Sequence, residues 1–375
     1  MVLLIYADNA ATTKLDSDAF EAMKPFLFES YGNVSQPYSF ARTAKKALKE
    51  ARENIAKCIG ASPDEIFFTS GGTESDNWAI KGLLKCGDNR LILTSNIEHH
   101  AILNACAAVE RMNYPVKYLP VDKFGILQPN TLANSINSNV KLVTVMLVNN
   151  ELGTIEPIKE LAKIAHENGS YFHTDAVQAL GHIEIDVNDL GVDMLSASAH
   201  KFNGPKGVGF LYVRRGIDIQ PFMDGGTQEF GVRAGTENIA SIVAMAKALQ
   251  KNCNQIKDTK KRLFEMERRF FEILDKTEID YIRNGSPNHA PGIINISIKN
   301  TSGEMILHRL DLKGIYISTG SACDSTNIKV SHVIKAISVP MDYANGTIRI
   351  SLGKDNRETD VQEIADALID ILKNN

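Results

Sequence analysis

Between about residue 65 and residue 213 the chain alternates short apolar runs with stretches of helical periodicity. The apolar runs are 65–70, 90–95, 115–121, 141–148, 170–175, 193–198 and 207–213, and the helical stretches include 76–85, 101–112 and 158–168. This alternation predicts βαβ units, and therefore an α/β fold with a mostly parallel sheet flanked by helices. In such sheets, ligands bind at the carboxyl ends of the strands.

The pattern differs at both ends of the chain. Helical periodicity covers 16–28 and 39–58, and a long helical stretch runs from 236 to 276. Short strands mixed with helices follow, with the strands at 292–298, 314–318 and 346–351 and a final helix at 358–372. We therefore predict a large domain at 14–255 and a smaller α+β domain at 256–375, which residues 1–13 join.

The composition is that of an ordinary globular protein. Of the 375 residues 43% are hydrophobic and 23% are charged, and a net charge of -4 without a basic stripe argues against nucleic acid as a partner. No stretch approaches the ~20 apolar residues of a membrane span. The five cysteines, at positions 58, 86, 106, 253 and 323, have neither metal-ligand nor disulfide spacing. We therefore expect no metal site and a cytoplasmic location.

Lys201 lies between small residues and a Gly/Pro turn in SASAHKFNGPKGVG, residues 196–209. Small neighbours let a planar group approach the backbone, and lysine is the side chain that condenses with aldehydes. A surface lysine in a glycine-rich loop would give the same pattern.

Other polar residues follow predicted strands. Asp175 could hold a cationic ring nitrogen, or it could cap a helix. Gly72 and Thr73, in GGTES, could bind an anion at a helix N-terminus or form a plain N-cap. His99 could stack on a planar cofactor, although a histidine facing solvent at a helix start is the alternative.

Further candidates have equally simple alternatives. Asn150 could bind a ring hydroxyl, and Ser198 and His200 could bind a phosphate. Cys323, in a loop of small residues, is a candidate nucleophile because the thiolate is the reactive form, or it is an incidental thiol. Arg349 is alone on an apolar strand. Its guanidinium could bind a carboxylate with two hydrogen bonds, or it could be a strand-edge arginine whose guanidinium is solvated.

Taken together, these segments resemble the cysteine desulfurases of fold type I in the class V aminotransferase superfamily, and especially the NifS/IscS-like group. The similarity runs in order through DNAATT, YGN, FFTSGGTES, EHHA, VNNELG, HTDAVQ, SASAHKFNGPKGVG, GVRAGTEN, GSAC and IRISLG. Each motif is weak alone, but ten in this order are highly specific. The resemblance implies a fold-type-I enzyme that uses pyridoxal 5'-phosphate (PLP) to convert L-cysteine into L-alanine and transferable sulfur.

The resemblance also implies roles around the cofactor. Lys201 would bind PLP covalently and move the α-proton, Asp175 would pair with the pyridine nitrogen, and His99 would stack on the ring and assist proton transfer. Gln178 and Asn150 would contact the ring oxygen side. The phosphate would be held by Gly72, Thr73, Ser198 and His200.

The remaining implied roles concern substrate, sulfur and partners. Asn33 and Arg349 would hold the substrate carboxylate, and Cys323 would take the sulfur as a persulfide. Thr236 would reach the phosphate in the other subunit of a homodimer. The sulfur would pass to an acceptor protein for iron–sulfur cluster assembly, or for tRNA or cofactor thiolation.

Some residues depart from the family pattern. Tyr38 and Asp224 stand where histidine is common, and Phe230 stands where arginine is common. Asp324 replaces the usual Thr or Ser beside Cys323, and a carboxylate there should disfavour the thiolate. The alternatives to a cysteine desulfurase are a selenocysteine lyase or an aminotransferase of the same superfamily, and a non-enzymatic sulfur-relay scaffold.

Overall fold

The structure is a computed structural model that describes residues 4–85, 87, 89–319 and 330–373. The strands of this part of the chain are β1 (Ile5–Tyr6), β2 (Ile66–Thr69), β3 (Leu91–Ser95), β4 (Val116–Leu119), β5 (Val140–Thr144), β6 (Tyr171–Asp175), β7 (Met194–Ser198), β8 (Gly209–Val213), β9 (Tyr281–Arg283), β10 (Ile293–Ile298), β11 (Ile315–Tyr316) and β12 (Thr347–Ser351).

The α-helices of the same residues are α1 (Ser17–Met23), α2 (Pro25–Phe28), α3 (Arg42–Cys58), α4 (Gly72–Lys81), α5 (His100–Glu110), α6 (Pro129–Ala133), α7 (Ile158–Glu167), α8 (Val187–Leu190), α9 (Ile239–Leu274), α10 (Gly303–Asp311), α11 (His332–Ala336), α12 (Met341–Ala344) and α13 (Glu358–Lys373). Short 3-10 helices cover Ser39–Ala41, Pro63–Glu65, Ala199–Lys201 and Glu229–Gly231. In the described residues, no helix is both long enough and apolar enough to cross a membrane.

The central sheet has seven strands in the order β2-β8-β7-β6-β5-β3-β4. Strands β3 to β7 run parallel, which confirms the predicted mostly parallel sheet. Strand β8 is antiparallel to both β7 and β2, because the short connection after β7 leaves no room for a crossover helix. Strands β2 and β7 therefore point the same way, and their carboxyl ends lie at the same edge of the sheet.

Helices cover both faces of this sheet, since parallel strands must be buried on both sides. Helix α7 shows how the sequence produces this packing: Ile158, Leu161, Ala162 and Ala165 recur at helical spacing and are all buried. They join one large apolar cluster with residues of α3 and α9, while α4 and α5 contribute to a second cluster that includes Trp78.

A smaller antiparallel sheet, β12-β10-β9, forms another apolar cluster with α10, α13 and the second half of α9. Strand β1 pairs in parallel with β11, so the N-terminal segment lies beside this C-terminal region. The 36-residue helix α9 contributes to both clusters, and residue 255 falls inside it. The division at 14–255 and 256–375 stays a prediction.

Several element bounds differ from the sequence prediction. The helix expected at 16–28 is broken into α1 and α2, because Pro25 lacks a backbone N–H and begins a new helix. Strand β5 ends at Thr144 rather than at 148, although Val145 and Leu147 still donate backbone hydrogen bonds to β6. The pattern does not predict the three-residue strand β9, and it gives no bounds for helices such as α10 that lie among the C-terminal strands.

Candidate active site

Lys201 follows β7 in a tight 3-10 turn, and its amino group is held by hydrogen bonds. The Nζ atom donates to the carbonyl oxygens of Ala10, at 2.5 Å, and Ala11, at 2.9 Å. The turn itself leaves no room at Gly204, where an added Cβ would lie 2.7 Å from the Cβ of Ala199. The lysine is therefore half-buried and oriented, which excludes the alternative of a free surface lysine.

Asp175 ends β6, the strand next to β7, and is 5% exposed. Its Oδ1 accepts a hydrogen bond from the backbone N–H of Val177 at 2.9 Å. Burial raises the pKa of Asp175 to about 6, against the opposing effects of that hydrogen bond and of the Lys201 charge. The carboxylate is thus ionised at neutral pH but poorly solvated, and a cationic N–H would satisfy it.

His99 is the N-cap of α5, and its Nδ1 accepts from the backbone N–H of Ala101 at 3.1 Å. Burial, together with the charges of Lys201, His100 and His332, lowers the pKa of His99 to about 4. The ring is therefore neutral at pH 7, with its proton on Nε2. His99 therefore caps a helix, as one alternative predicts, but its side chain is half-buried and does not face solvent.

A cavity of about 410 Å³ opens at the same edge of the sheet. Its lining residues come from the ends of β2 and β7 and from the first turn of α4, together with the N-terminal segment: Ala11, Thr12, Ser70, Gly71, Gly72, Thr73, Glu74, Ser198, His200, Lys206 and Gly207. No side chain caps α4, and Lys206 adds a positive charge. An anion fits this environment.

Glycines make the cavity possible. An added Cβ at Gly209 would lie 2.3 Å from the carbonyl oxygen of Ala197 and 2.7 Å from the Cα of Gly71. An added Cβ at Gly72 would lie 2.6 Å from Cγ2 of Val177. The turn before α4 and the start of β8 therefore approach each other closely only because neither carries a side chain.

The other predicted cofactor residues lie around Lys201. The Nε2 atom of Gln178 donates at 2.7 Å to the carbonyl of Ala10, the same oxygen that Lys201 contacts. The Nδ1 atom of His200 lies 3.1 Å from Oγ1 of Thr12, and burial followed by the Lys201 charge lowers its pKa to about 4.

Arg349 lies in the middle of β12 and is 5% exposed, so it is not a strand-edge arginine with its head in water. Its Nη2 donates to Oδ1 of Asp8 at 2.7 Å, and its Nη1 donates to the backbone oxygen of Asn150 at 2.9 Å. The guanidinium thus contacts one carboxylate oxygen and one backbone carbonyl, and both belong to the chain itself. Asn150 reaches this cluster through its backbone.

Two predicted residues, Asn33 and Thr236, do not line this cavity. Asn33 is exposed, and its Oδ1 accepts from the backbone N–H of Ser35 at 2.9 Å. Thr236 is exposed and lines a neighbouring cavity of about 180 Å³ with Glu229 and Arg233 among others. Cys323 and Asp324 lie outside the described residues.

Sequence reasoning missed three residues around Arg349. Asp8, Glu151 and Ser331 form contacts there, and only the motifs DNAATT and VNNELG indicated that the first two were of interest. Their partners lie in distant parts of the chain, so no local pattern could pair them.

Phe230, which replaces a common arginine, has a structural explanation. It adopts a left-handed conformation, with φ of 59°, and its ring centroid lies 5.4 Å from the guanidinium of Arg52. Arg52 forms a paired contact with Glu229, with distances of 2.6 and 2.9 Å. An arginine at 230 would place a second cation beside Arg52, whereas a phenyl ring attracts it.

Comparisons with known proteins agree with this geometry. The chain matches the family described as "Aminotransferase class-V" over residues 5–364, and it belongs to this family. It is 48% identical over 372 residues to a cysteine desulfurase IscS of Dictyoglomus turgidum, covering 98% of this chain and 94% of that protein.

Solved structures are similar over nearly the whole chain. A NifS-like protein matches with a TM-score of 0.93 and 35% identity, covering 100% of both chains. A structure of SspA in complex with cysteine matches with a TM-score of 0.83 and 36% identity, covering 93% of this chain and 98% of that one. The resemblance to the NifS/IscS-like group and the fold-type-I architecture are thereby confirmed.

Class V aminotransferases and cysteine desulfurases depend on PLP, and the residues present fit this cofactor. Asp175 offers a buried carboxylate for a pyridinium, and Lys201 offers an amine for an aldehyde. The uncapped start of α4 and the glycine-lined cavity suit a phosphate.

Proposed function

We propose that this chain is a PLP-dependent cysteine desulfurase, which takes sulfur from L-cysteine and releases L-alanine. The observation that carries the proposal is the convergence of Lys201, Asp175 and His99 at one edge of the sheet. The charge of Lys201 lowers the pKa of both other side chains, so the three groups share one poorly solvated space. They lie near a cavity whose lining suits an anion, and the chain belongs to a family of PLP enzymes.

PLP, when bound, supplies an electron sink that stabilises negative charge on the carbon beside the substrate nitrogen. Asp175 would keep a proton on the ring nitrogen, because an ionised carboxylate without a cation is costly in this buried position. Lys201 would hold the cofactor through its aldehyde group, and its amine would move the α-proton of the substrate. The phosphate would be held by Gly72, Thr73, Ser198 and His200. Gln178 and Asn150 would contact the ring oxygen side.

His99 is suited to donate a hydrogen bond from Nε2. Because the backbone of Ala101 occupies Nδ1, the ring cannot easily change its tautomer or its orientation. The ring face is then available to stack on a planar group, and Nε2–H can assist a proton transfer.

The sulfur step is assigned to Cys323. Its thiolate attacks the sulfur of the bound cysteine, a sulfur–sulfur bond forms, and the carbon–sulfur bond breaks with its electron pair left on carbon. That carbon takes a proton and leaves as L-alanine, and Cys323 is left as a persulfide. Arg349 would hold the substrate carboxylate during these steps. Asn33, which does not line the cavity, is assigned to the same carboxylate by the resemblance alone.

The proposal extends to partners. Thr236 is exposed and does not line the phosphate cavity of its own chain, as expected for a residue that reaches a second subunit. We expect a homodimer, which sedimentation equilibrium measures directly, and a monomer at micromolar concentration would contradict this. A sulfur-acceptor protein would then remove the persulfide sulfur.

An assay of alanine and sulfide from L-cysteine tests the function. Wild-type protein should form alanine, whereas Lys201→Ala should lose at least about 10⁴-fold in rate and lose the borohydride-sensitive visible absorption of the bound cofactor. Cys323→Ala should keep that absorption and its response to L-cysteine, but lose sulfur transfer.

Matched controls are Lys163→Ala, a change at an exposed helix residue, and Cys253→Ala, a change at a thiol in α9. Both should retain wild-type rates. Full desulfuration by Cys323→Ala would refute the role of Cys323, and the absence of alanine formation by wild-type protein would refute the function. L-Selenocysteine, offered in parallel, tests the alternative of a selenocysteine lyase.

A further inference from the structure

Glu151 is a buried acid that the steps above do not use. It follows Asn150 in the VNNELG turn, and its backbone is fixed at both ends. Its N–H donates to Oδ1 of Asn149 at 2.9 Å, and its carbonyl accepts from Nδ2 of Asn295 at 3.1 Å. The side chain is 4% exposed, so its position is set by the surrounding structure and not by solvent.

The two carboxyl oxygens of Glu151 have different environments. Oε1 accepts from the hydroxyl of Ser331 at 2.9 Å. Oε2 is fully buried and has no hydrogen-bond partner among the described residues. Buried polar atoms are nearly always paired, so this unpartnered oxygen, which lies within range of the Arg349 charge, indicates that a ligand or a water completes it.

Arg349 also has a buried polar atom without a partner among the described residues. Its Nη atoms contact Asp8 and the backbone oxygen of Asn150, the residue directly before Glu151. Its Nε is buried and also lacks a partner within the part of the chain that the structure describes. The Arg349 charge acts on the carboxyl of Glu151, so the two unsatisfied groups lie within electrostatic range of each other.

We propose that Glu151 is a substrate-binding residue, which in its protonated form donates Oε2–H to the carboxylate of the amino-acid substrate beside Arg349. An ionised glutamate would repel that carboxylate, whereas a carboxylic acid presents a donor to it. Ser331 donates to Oε1 and thereby directs the acidic proton to Oε2. The inference rests on the proposed function, because it takes an α-amino acid as the ligand.

The protonation state agrees with this geometry. Burial raises the pKa of Glu151 to about 7, and the Ser331 hydrogen bond and the Arg349 charge only partly oppose it. The charged groups described around it are Arg349 on β12 and Asp8, which pairs with Arg349; Ser331, Asn149 and Asn295 are neutral.

The consequence is a pH-dependent affinity. Below pH 7 the acid form dominates and binds the carboxylate, and above pH 7 the ionised form does not. The affinity for an amino acid should therefore fall about tenfold between pH 6 and pH 8 through this group alone.

The test is calorimetric binding of L-alanine to the PLP-loaded protein between pH 6 and pH 8. Wild-type affinity should fall about tenfold. Glu151→Gln, which keeps an acceptor for Ser331 and places a permanent N–H donor at the other position, should keep its pH 6 affinity up to pH 8. Alaninamide, which lacks the carboxylate, should bind both proteins with the same pH dependence.

The inference would be overturned if the affinity for L-alanine fell equally in Glu151→Gln and in wild type. It would also be overturned if the wild-type protein showed the same pH dependence of affinity for L-alanine as for alaninamide. The second comparison needs no variant and remains decisive if the variant folds poorly. The proposed function fails separately, when L-cysteine yields no alanine while L-alanine binding still follows the expected profile.

Discussion

The site has two sides that differ in how they are built. The cofactor side consists of Lys201, Asp175 and Ser198, which lie at or just after the ends of the neighbouring strands β6 and β7. The arginine side consists of Arg349, Asp8 and Glu151, which come from three distant segments. Lys201 is hydrogen-bonded on the first side, whereas two buried atoms on the second side lack partners among the described residues.

This difference separates two tasks. A cofactor that stays bound needs a rigid environment, which neighbouring strands of one sheet provide. A substrate enters and leaves at every turnover, so its binding groups must accept a new partner each time. An unpartnered buried polar group costs about 1–3 kcal/mol, and a substrate carboxylate would recover that free energy on binding.

The largest expected effect concerns the cofactor side. Asp175→Asn should reduce the rate of alanine formation by about 10²–10⁴-fold, because the amide cannot hold a proton on the ring nitrogen. The matched control is Asp193→Asn, at the opposite end of the same strands, where Asp193 accepts from the backbone N–H of Phe172. That change should cost stability and leave the rate of the folded protein unchanged.

The same variant has a second readout in protein without cofactor. The raised pKa of Asp175, about 6 against 3.8, means that stability falls as the pH rises from 3.8 to 6 and stays reduced above it. Asp175→Asn should therefore unfold at a higher urea concentration at pH 7, by about 2–3 kcal/mol, and show no advantage near pH 3.5. A less stable variant at pH 7 would contradict the burial argument.

An intermediate effect is expected on the arginine side. Arg349→Lys keeps the charge but loses the fork, so it cannot contact Asp8 and Asn150 together. The specificity constant for L-cysteine should fall about 10–150-fold, mainly through KM, with the cofactor absorption unchanged. Arg262→Lys is the control, because Arg262 likewise donates hydrogen bonds from its guanidinium, here to the backbone carbonyls of Lys354 and Asn356. A loss of bound PLP in Arg349→Lys would remove the distinction between the two sides.

The smallest effect should come from the glycine contact that shapes the cavity. Gly209→Ala places a Cβ 2.3 Å from the oxygen of Ala197, so the strand must shift, at a cost of about 1–3 kcal/mol in unfolding free energy. PLP affinity should weaken with it. Gly169→Ala has open space around it and only a positive φ of 74°, so it should cost about 1 kcal/mol and leave PLP affinity unchanged. Equal PLP affinity in both variants would show that the close approach does not shape the phosphate site.

Local sequence reasoning determined much of the cofactor side. The alternation of apolar runs and helices predicted a parallel sheet, and parallel sheets collect polar residues at their carboxyl ends. Asp175, Ser198 and Lys201 therefore could be placed together from their positions alone. Strand β8 is a partial exception, because the pattern gives its position but not its antiparallel direction.

The arginine side was decided by the tertiary structure. Arg349 contacts Asp8 across 341 positions, and Ser331 contacts Glu151 across 180, so no periodicity or spacing relates them. The sequence determined that Arg349 presents a planar guanidinium with several donors and that Glu151 presents a carboxyl group. Only folding determined that the Arg349 guanidinium contacts the carboxylate of Asp8. Only burial raised the pKa of Glu151, because that shift depends on the low-dielectric surroundings that distant segments create together.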